Sequence, residues 1–279
     1  MGYILEDGVK KPMEIMDVLH LIKTRQFVIY GNGYIARRFY NIIKNLGLEH
    51  NVLNVAISEA NPDDIGVDGK FLCSIKDIGR DAFIVLAVHD AVADEMKRTL
   101  IELGFSDYIW IYPYLIELEI GSPIKSNCSI PTDALIRCLP NAYAWAIYYL
   151  TLKDYVDKDL YHGSLYIKFA SLYITSEMAF NRWERYRRRI EEHLCHGYYQ
   201  DYNVKINEEY DLIDGSHRLV LAKFFHAKIV YADIYAGHKN FYCQKGLGKD
   251  ILLLGSDLSN YYTPDEIARI QAADRELRN

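Results

Sequence analysis

No C-x-x-C pair occurs in this chain: the five cysteines (Cys73, Cys128, Cys138, Cys195, Cys243) are scattered over 279 residues. Such spacing suits neither a zinc site nor a disulfide framework, and it fits a reducing compartment. Positive charge is not in excess either; the net charge is -6. A broad nucleic-acid surface needs a positive footprint, so nucleic acid is not an expected partner. The most apolar run, residues 142–152, is far too short for a bilayer span. Residues 1–8 lack the basic start and apolar core of a secretory leader. The expectation is a soluble, cytoplasmic protein with no membrane insertion. His193, His196, His226 and His238 have no second His or Cys at metal-ligand spacing, and read as surface or core histidines.

What is present is core-forming. Half the residues are apolar and a quarter charged, enough for two modest domains. Residues 121–127, Gly-Ser-Pro-Ile-Lys-Ser-Asn, carry the punctuation of a boundary. The division expected is a first domain over 1–120, a linker and helix over 121–160, and a second domain over 161–279. The helix expected at 142–156 is apolar almost all round, which suggests burial between domains or subunits. A homodimer is one arrangement that would bury it. The 24 tyrosines suit wet interfaces and ligand clefts, or reflect a compositional habit of the source.

Two strand-turn-helix patterns stand out. In the first, the apolar run 27–30 meets Gly31-Asn32-Gly33, and a helix follows over 37–46. Glycines there permit a tight turn and close backbone approach to a pyrophosphate. Further strands at 52–57, 82–88 and 108–111, with a helix at 91–103, imply a parallel α/β sheet. Glu59, one residue past Ser58, is the nearest acid for a ribose, so Gly31, Asn32, Gly33 and Glu59 form a candidate nucleotide site. A purely geometric role for the glycine turn is the alternative.

In the second pattern, Leu212 and Ile213 feed Asp214-Gly215-Ser216-His217-Arg218, and an apolar helix follows over 219–225. An anion is favoured at a helix N-terminus, and an arginine fork suits phosphate. The same letters also suit a plain tight turn with an N-cap. The run Arg182, Arg185, Arg187, Arg188, Arg189 is interleaved with Glu184, Glu191 and Glu192 and reads as a solvated helix face, with Arg182 the member most suited to a cleft. At the tail, Thr263, Pro264 and Glu266 spell a capped helix.

Around that second turn the chain resembles the ParB/sulfiredoxin-like superfamily. The likeness runs from the helix at 185–194 through Gly197, a strand at 202–206, the Asp-Gly-Ser-His-Arg turn, and on to a strand at 229–234. Ser216 stands where sulfiredoxins carry a cysteine, which removes thiol chemistry. No Gly-Glu-Arg-Arg motif or helix-turn-helix of the partition proteins is visible. The branch of free-serine-kinase-like proteins is the nearest. By that resemblance the second domain is a ParB/sulfiredoxin-like α+β fold. Gly215, Ser216, His217, Arg218 and Arg182 would bind nucleotide phosphates. Asp214, His217 and Glu177 would be catalytic, with Asp214 holding Mg²⁺ and ATP or ADP as the nucleotide. Residues 26–112, with Tyr30-Gly31-x-Gly33 and the Asp68-Gly69 turn, resemble a Rossmann-like domain of bacterial surface-glycan enzymes. The implied function is a nucleotide-dependent phosphotransferase acting on a small hydroxyl compound, with a setting in polysaccharide assembly. A non-catalytic nucleotide or nucleotide-sugar binding scaffold is the alternative. A ParB-like DNA-binding protein or nuclease is disfavoured by the acidic balance.

Overall fold

The computed structural model describes residues 13–60, 66–70, 72–139, 142–157, 163–237 and 258–279. It separates into two compact units, Met1–Ser122 and Pro123–Asn279.

The first unit is built on five parallel strands, β1 (Phe27–Tyr30), β2 (Val52–Ile57), β3 (Leu72–Ser74), β4 (Ile84–Leu86) and β5 (Tyr108–Trp110), in the order β3-β2-β1-β4-β5. Strands β1 and β4 are buried at every position, as continuous apolar runs must be when both sheet faces are covered. Phe27 and Ile29 pack on one face with residues of α1 (Ile15–Thr24), α2 (Tyr34–Asn45) and α4 (Leu115–Ile120). Val28 and Tyr30 pack on the other with α3 (Asp90–Glu102). The connections after β1 and β4 therefore leave for opposite faces, which opens a crevice between their ends. Gly31 sits there with φ 132°, and a side chain would place its Cβ 2.7 Å from the Ala87 carbonyl oxygen. Close backbone approach is why glycine occupies it.

The second unit orders its elements as β6 (Lys125–Pro131), α5 (Thr132–Cys138), α6 (Ala144–Val156), α7 (Ser164–Ala170), α8 (Ser176–His196), β7 (Val204–Asn207), β8 (Leu212–Asp214), α9 (Ser216–Phe224) and β9 (Ile229–Tyr235). Two helices close it, α10 (Leu258–Tyr261) and α11 (Pro264–Arg278). Its sheet runs β6-β9-β7-β8; β7 and β9 are parallel and the outer pairs antiparallel.

Two expectations about the middle of the chain change here. The expected linker is in part strand β6, whose partner β9 lies far along the sequence and could not be read locally. Helix α6 is not a connector. Ten of its 13 residues are buried, and it packs against α7, α9 and α11 within the second unit's own core. Its all-round apolarity is explained by burial inside one unit. The one buried carboxylate it carries, Asp154, accepts a hydrogen bond from Arg269 Nη2 at 2.5 Å. Helix α11 begins as its sequence expects, with Pro264 in the first turn and a reciprocal Thr263–Glu266 capping box.

Candidate functional site at the Asp-Gly-Ser-His-Arg turn

Strand β8 ends at Asp214, and Gly215 turns the chain with φ 110° into α9. A Cβ on Gly215 would lie 2.3 Å from Val204 Cγ1 and 3.2 Å from Val204 Cα, so the turn lies flat on β7. No side chain caps α9 at Gly215, and a helix N-terminus is the kind of place that suits an anion. One turn on, Arg218 reaches back. Its Nη1 donates to the Asn203 carbonyl oxygen at 2.6 Å and its Nη2 to Asp214 Oδ2 at 2.7 Å. Arg218 thereby ties the helix to both flanking strands. Asp214 remains half-exposed.

His217 lies in an aromatic enclosure. Its ring centroid is 4.4 Å from that of Tyr148 on α6, 4.5 Å from Tyr186 on α8 and 5.6 Å from Tyr166 on α7. Tyr166 Oη is 3.0 Å from Nε2, a hydrogen bond whose direction follows the imidazole tautomer. Burial, and then the charges of Arg182, Arg189, Arg218 and Arg185, push the imidazole well below the usual histidine range, so it is neutral at pH 7. Three of these arginines come from α8, where spacings of three and four residues put Arg182, Arg185, Arg189 and the buried Tyr186 on one side. Arg188 is exposed on the solvated side, while Arg187 is partly buried and bonded to Glu184 and Glu191. The basic run therefore divides by helical phase: part is the expected solvated face, and part converges on His217.

A pH effect follows. A histidine whose folded-state pKa is depressed contributes stability that is full above its unfolded value, about 6.5, and is lost as pH falls towards the folded value. The buried His193, depressed mainly by burial, acts in the same direction. We expect the second unit's melting temperature to decline below about pH 6.5. The decline should flatten in His217→Gln, as followed by thermal melts from pH 8 to 5.

The remaining residues singled out in the sequence are placed as follows. Gly215 and Ser216 form the turn, and Arg182 donates to Tyr173 Oη at 2.6 Å on the His217 side of α8. Glu177 is exposed in the first turn of α8. It precedes Tyr186 by nine residues, about two and a half helical turns, which sets it on the opposite side from His217. Gly31, Asn32, Gly33 and Glu59 belong to the first unit, after β1 and β2. There Asn32 Oδ1 is buried with no partner among the described residues, while Glu59 is 87% exposed beside Lys76. Beyond the first-unit residues named from sequence, His89 is bonded at Nδ1 by Asp90 and faces Tyr112 Oη across 3.2 Å at Nε2.

Tyr148, Tyr166, Tyr186, Arg185 and Arg189 join the surroundings of His217 only in the structure. The 3.6-residue period along α8 was the available signal for three of them. Among the described residues, no group of three or more His, Cys, Asp or Glu could hold a metal, and no helix is long and apolar enough to cross a membrane. A scan against protein-family models and searches of curated proteins and solved structures each gave no match to this chain.

Proposed function

We propose that the second unit is a nucleotide-dependent phosphotransferase acting on a small hydroxyl compound, with ATP or ADP as the nucleotide. One observation carries this reading: His217 in the first turn of α9, enclosed by Tyr148, Tyr166 and Tyr186, with Arg218 beside it bonded to Asp214. A plain turn needs no such arrangement. The nucleotide's phosphates would meet the first N–H groups of α9 and the arginines, which supply positioning and charge neutralisation. The acceptor oxygen then bonds to the transferred phosphorus as the bond to the leaving nucleotide oxygen breaks, and His217 takes the acceptor proton. Phosphate charge beside His217 would offset the guanidinium field, the lesser cause of its depressed basicity, while burial, the larger cause, stays. Asp214 fits Mg²⁺ only as a single carboxylate ligand; the nucleotide's own oxygens and water would complete the ion's shell, and its role is to screen phosphate charge. The resemblance to free-serine-kinase-like proteins and surface-glycan domains supports this chemistry and a setting in polysaccharide assembly.

The test is nucleotide consumption across a panel of hydroxyl acceptors, comparing wild type with His217→Gln. Acceptor-dependent consumption should fall at least about a hundredfold in kcat, the scale of a lost general base, while nucleotide Kd changes little. Turnover that survives the substitution would refute the role of His217.

A second reading has its own observation. Asn32 Oδ1 is buried without a described partner in the glycine turn, beside the crevice between β1 and β4. A non-catalytic nucleotide or nucleotide-sugar site in the first unit would use that oxygen. It predicts a melting-temperature shift from a UDP-sugar or NAD, unaltered by Arg182→Ala and without consumption of the ligand.

A further inference from the structure

In the first unit, strands β4 and β5 are parallel neighbours, with Leu86 level with Trp110. That register brings His89, just past the end of β4, and Tyr112, just past the end of β5, to the same carboxyl end of the sheet. Ligands of open parallel sheets bind at this end. The side chains meet there. Tyr112 Oη lies 3.2 Å from His89 Nε2 with the ring centroids 4.8 Å apart, and Asp90 is bonded to Nδ1. Trp110 braces the pair: its Nε1 donates to the Val88 carbonyl oxygen at 2.9 Å, and its ring stacks on Tyr112 at 5.8 Å. His89 keeps 33% of its side chain in solvent and Tyr112 is half-buried, so the pair is not sealed off.

A carboxylate can only accept, so Asp90 fixes the proton of the neutral imidazole on Nδ1 and leaves Nε2 to accept from the phenol. A hydroxyl within reach of a base that a third group orients is the signature of an activated nucleophile. We propose that Tyr112 is such a nucleophile and takes an acyl group from an activated ester or amide, with His89 as its general base and Asp90 orienting that base. As Tyr112 Oη bonds to the carbonyl carbon, its proton passes to His89 Nε2. The bond from that carbon to the leaving oxygen or nitrogen then breaks, and the leaving atom takes the proton from Nε2. Acyl-tyrosine and a free alcohol or amine remain, with the imidazole restored. The negative charge of Asp90 behind the ring suits a neutral carbonyl better than a phosphate. This site is independent of the phosphate site proposed for the second unit.

The test treats the full chain with N-acetylimidazole at neutral pH and follows acetylation of each tyrosine by peptide mass spectrometry. Tyr34, in the same unit and 49% exposed, is the reference, and the buried Tyr40 reports on folding. Tyr112 should be acetylated at least about tenfold faster than Tyr34 although it is less exposed, a small part of the roughly hundredfold or more that a positioned base supplies. His89→Gln should bring Tyr112 down to the rate of Tyr34 or below, and Asp90→Asn should slow it in part. In both variants Tyr34 should keep its rate and Tyr40 should stay unlabelled. Where a variant unfolds and Tyr40 is labelled, the wild-type ratio decides. Tyr112 reacting no faster than Tyr34 in the wild type would overturn the proposal, and a lead that survives His89→Gln would remove His89 as the base.

Discussion

Gly215→Ala should destabilise the second unit by roughly 3–5 kcal/mol, combining strain of a non-glycine residue at positive φ with overpacking. The added Cβ would have to displace Val204 Cγ1 at 2.3 Å and press on Val204 Cα at 3.2 Å. Backbone contact of this kind offers little room to relax, because Val204 is fully buried in a strand paired on both sides. Urea unfolding followed by tryptophan fluorescence suits the measurement, since Trp145 and Trp183 belong to the second unit and Trp110 to the first. Gly33→Ala is the matched control. Its φ is -82° and a Cβ there meets nothing within 4 Å, so stability should move by less than about 1 kcal/mol. Wild-type stability in Gly215→Ala would show that the turn is not pressed onto β7.

Arg218→Ala should act on fold and ligand together. Losing the bonds to the Asn203 carbonyl and Asp214 should cost about 2–3 kcal/mol, the scale for charged hydrogen bonds whose partners are left behind. Nucleotide affinity should fall at least about tenfold, since one guanidinium leaves and the helix N-terminus loses its brace. Arg218→Lys separates the two contributions. It keeps the charge but cannot make both bonds with one ammonium, so part of the affinity should return while most of the stability loss remains. Parallel denaturation and calorimetric titration would check this. Equal loss of affinity in both variants would mean that bracing matters more than charge.

The sequence carried local pattern well. Leu212 to Phe224 could be read as strand, turn and helix because apolar runs flank Asp-Gly and the helix period starts at once. The parallel sheet was legible for a similar reason: strands buried on both faces leave continuous apolar stretches. Strand β3 was harder to find, having only three residues, all half-buried. Long-range pairing was not legible. Nothing within residues 125–131 announces a partner at 229–235, so β6 looked like linker. The enclosure of His217 was hidden likewise, because Tyr148, Tyr166 and Tyr186 come from three helices and meet only on folding. Glu177 shows the limit of placing a residue by sequence order alone. It lies on the same helix as Arg182, and helical phase turns it away.

The pairing of β6 with β9 also bears on how the second unit is made. Ile130 faces Val230, so closing that ladder brings together positions a hundred residues apart. Loop-closure entropy makes such a pairing late and slow, whereas β7 and β8 can join through a short hairpin. On a ribosome, β6 emerges long before its partner exists. It must wait through the synthesis of α5 to α9 as an unpaired strand, and its exposed lysine, serine and asparagine residues at 125–127 suit that wait by discouraging pairing with other chains.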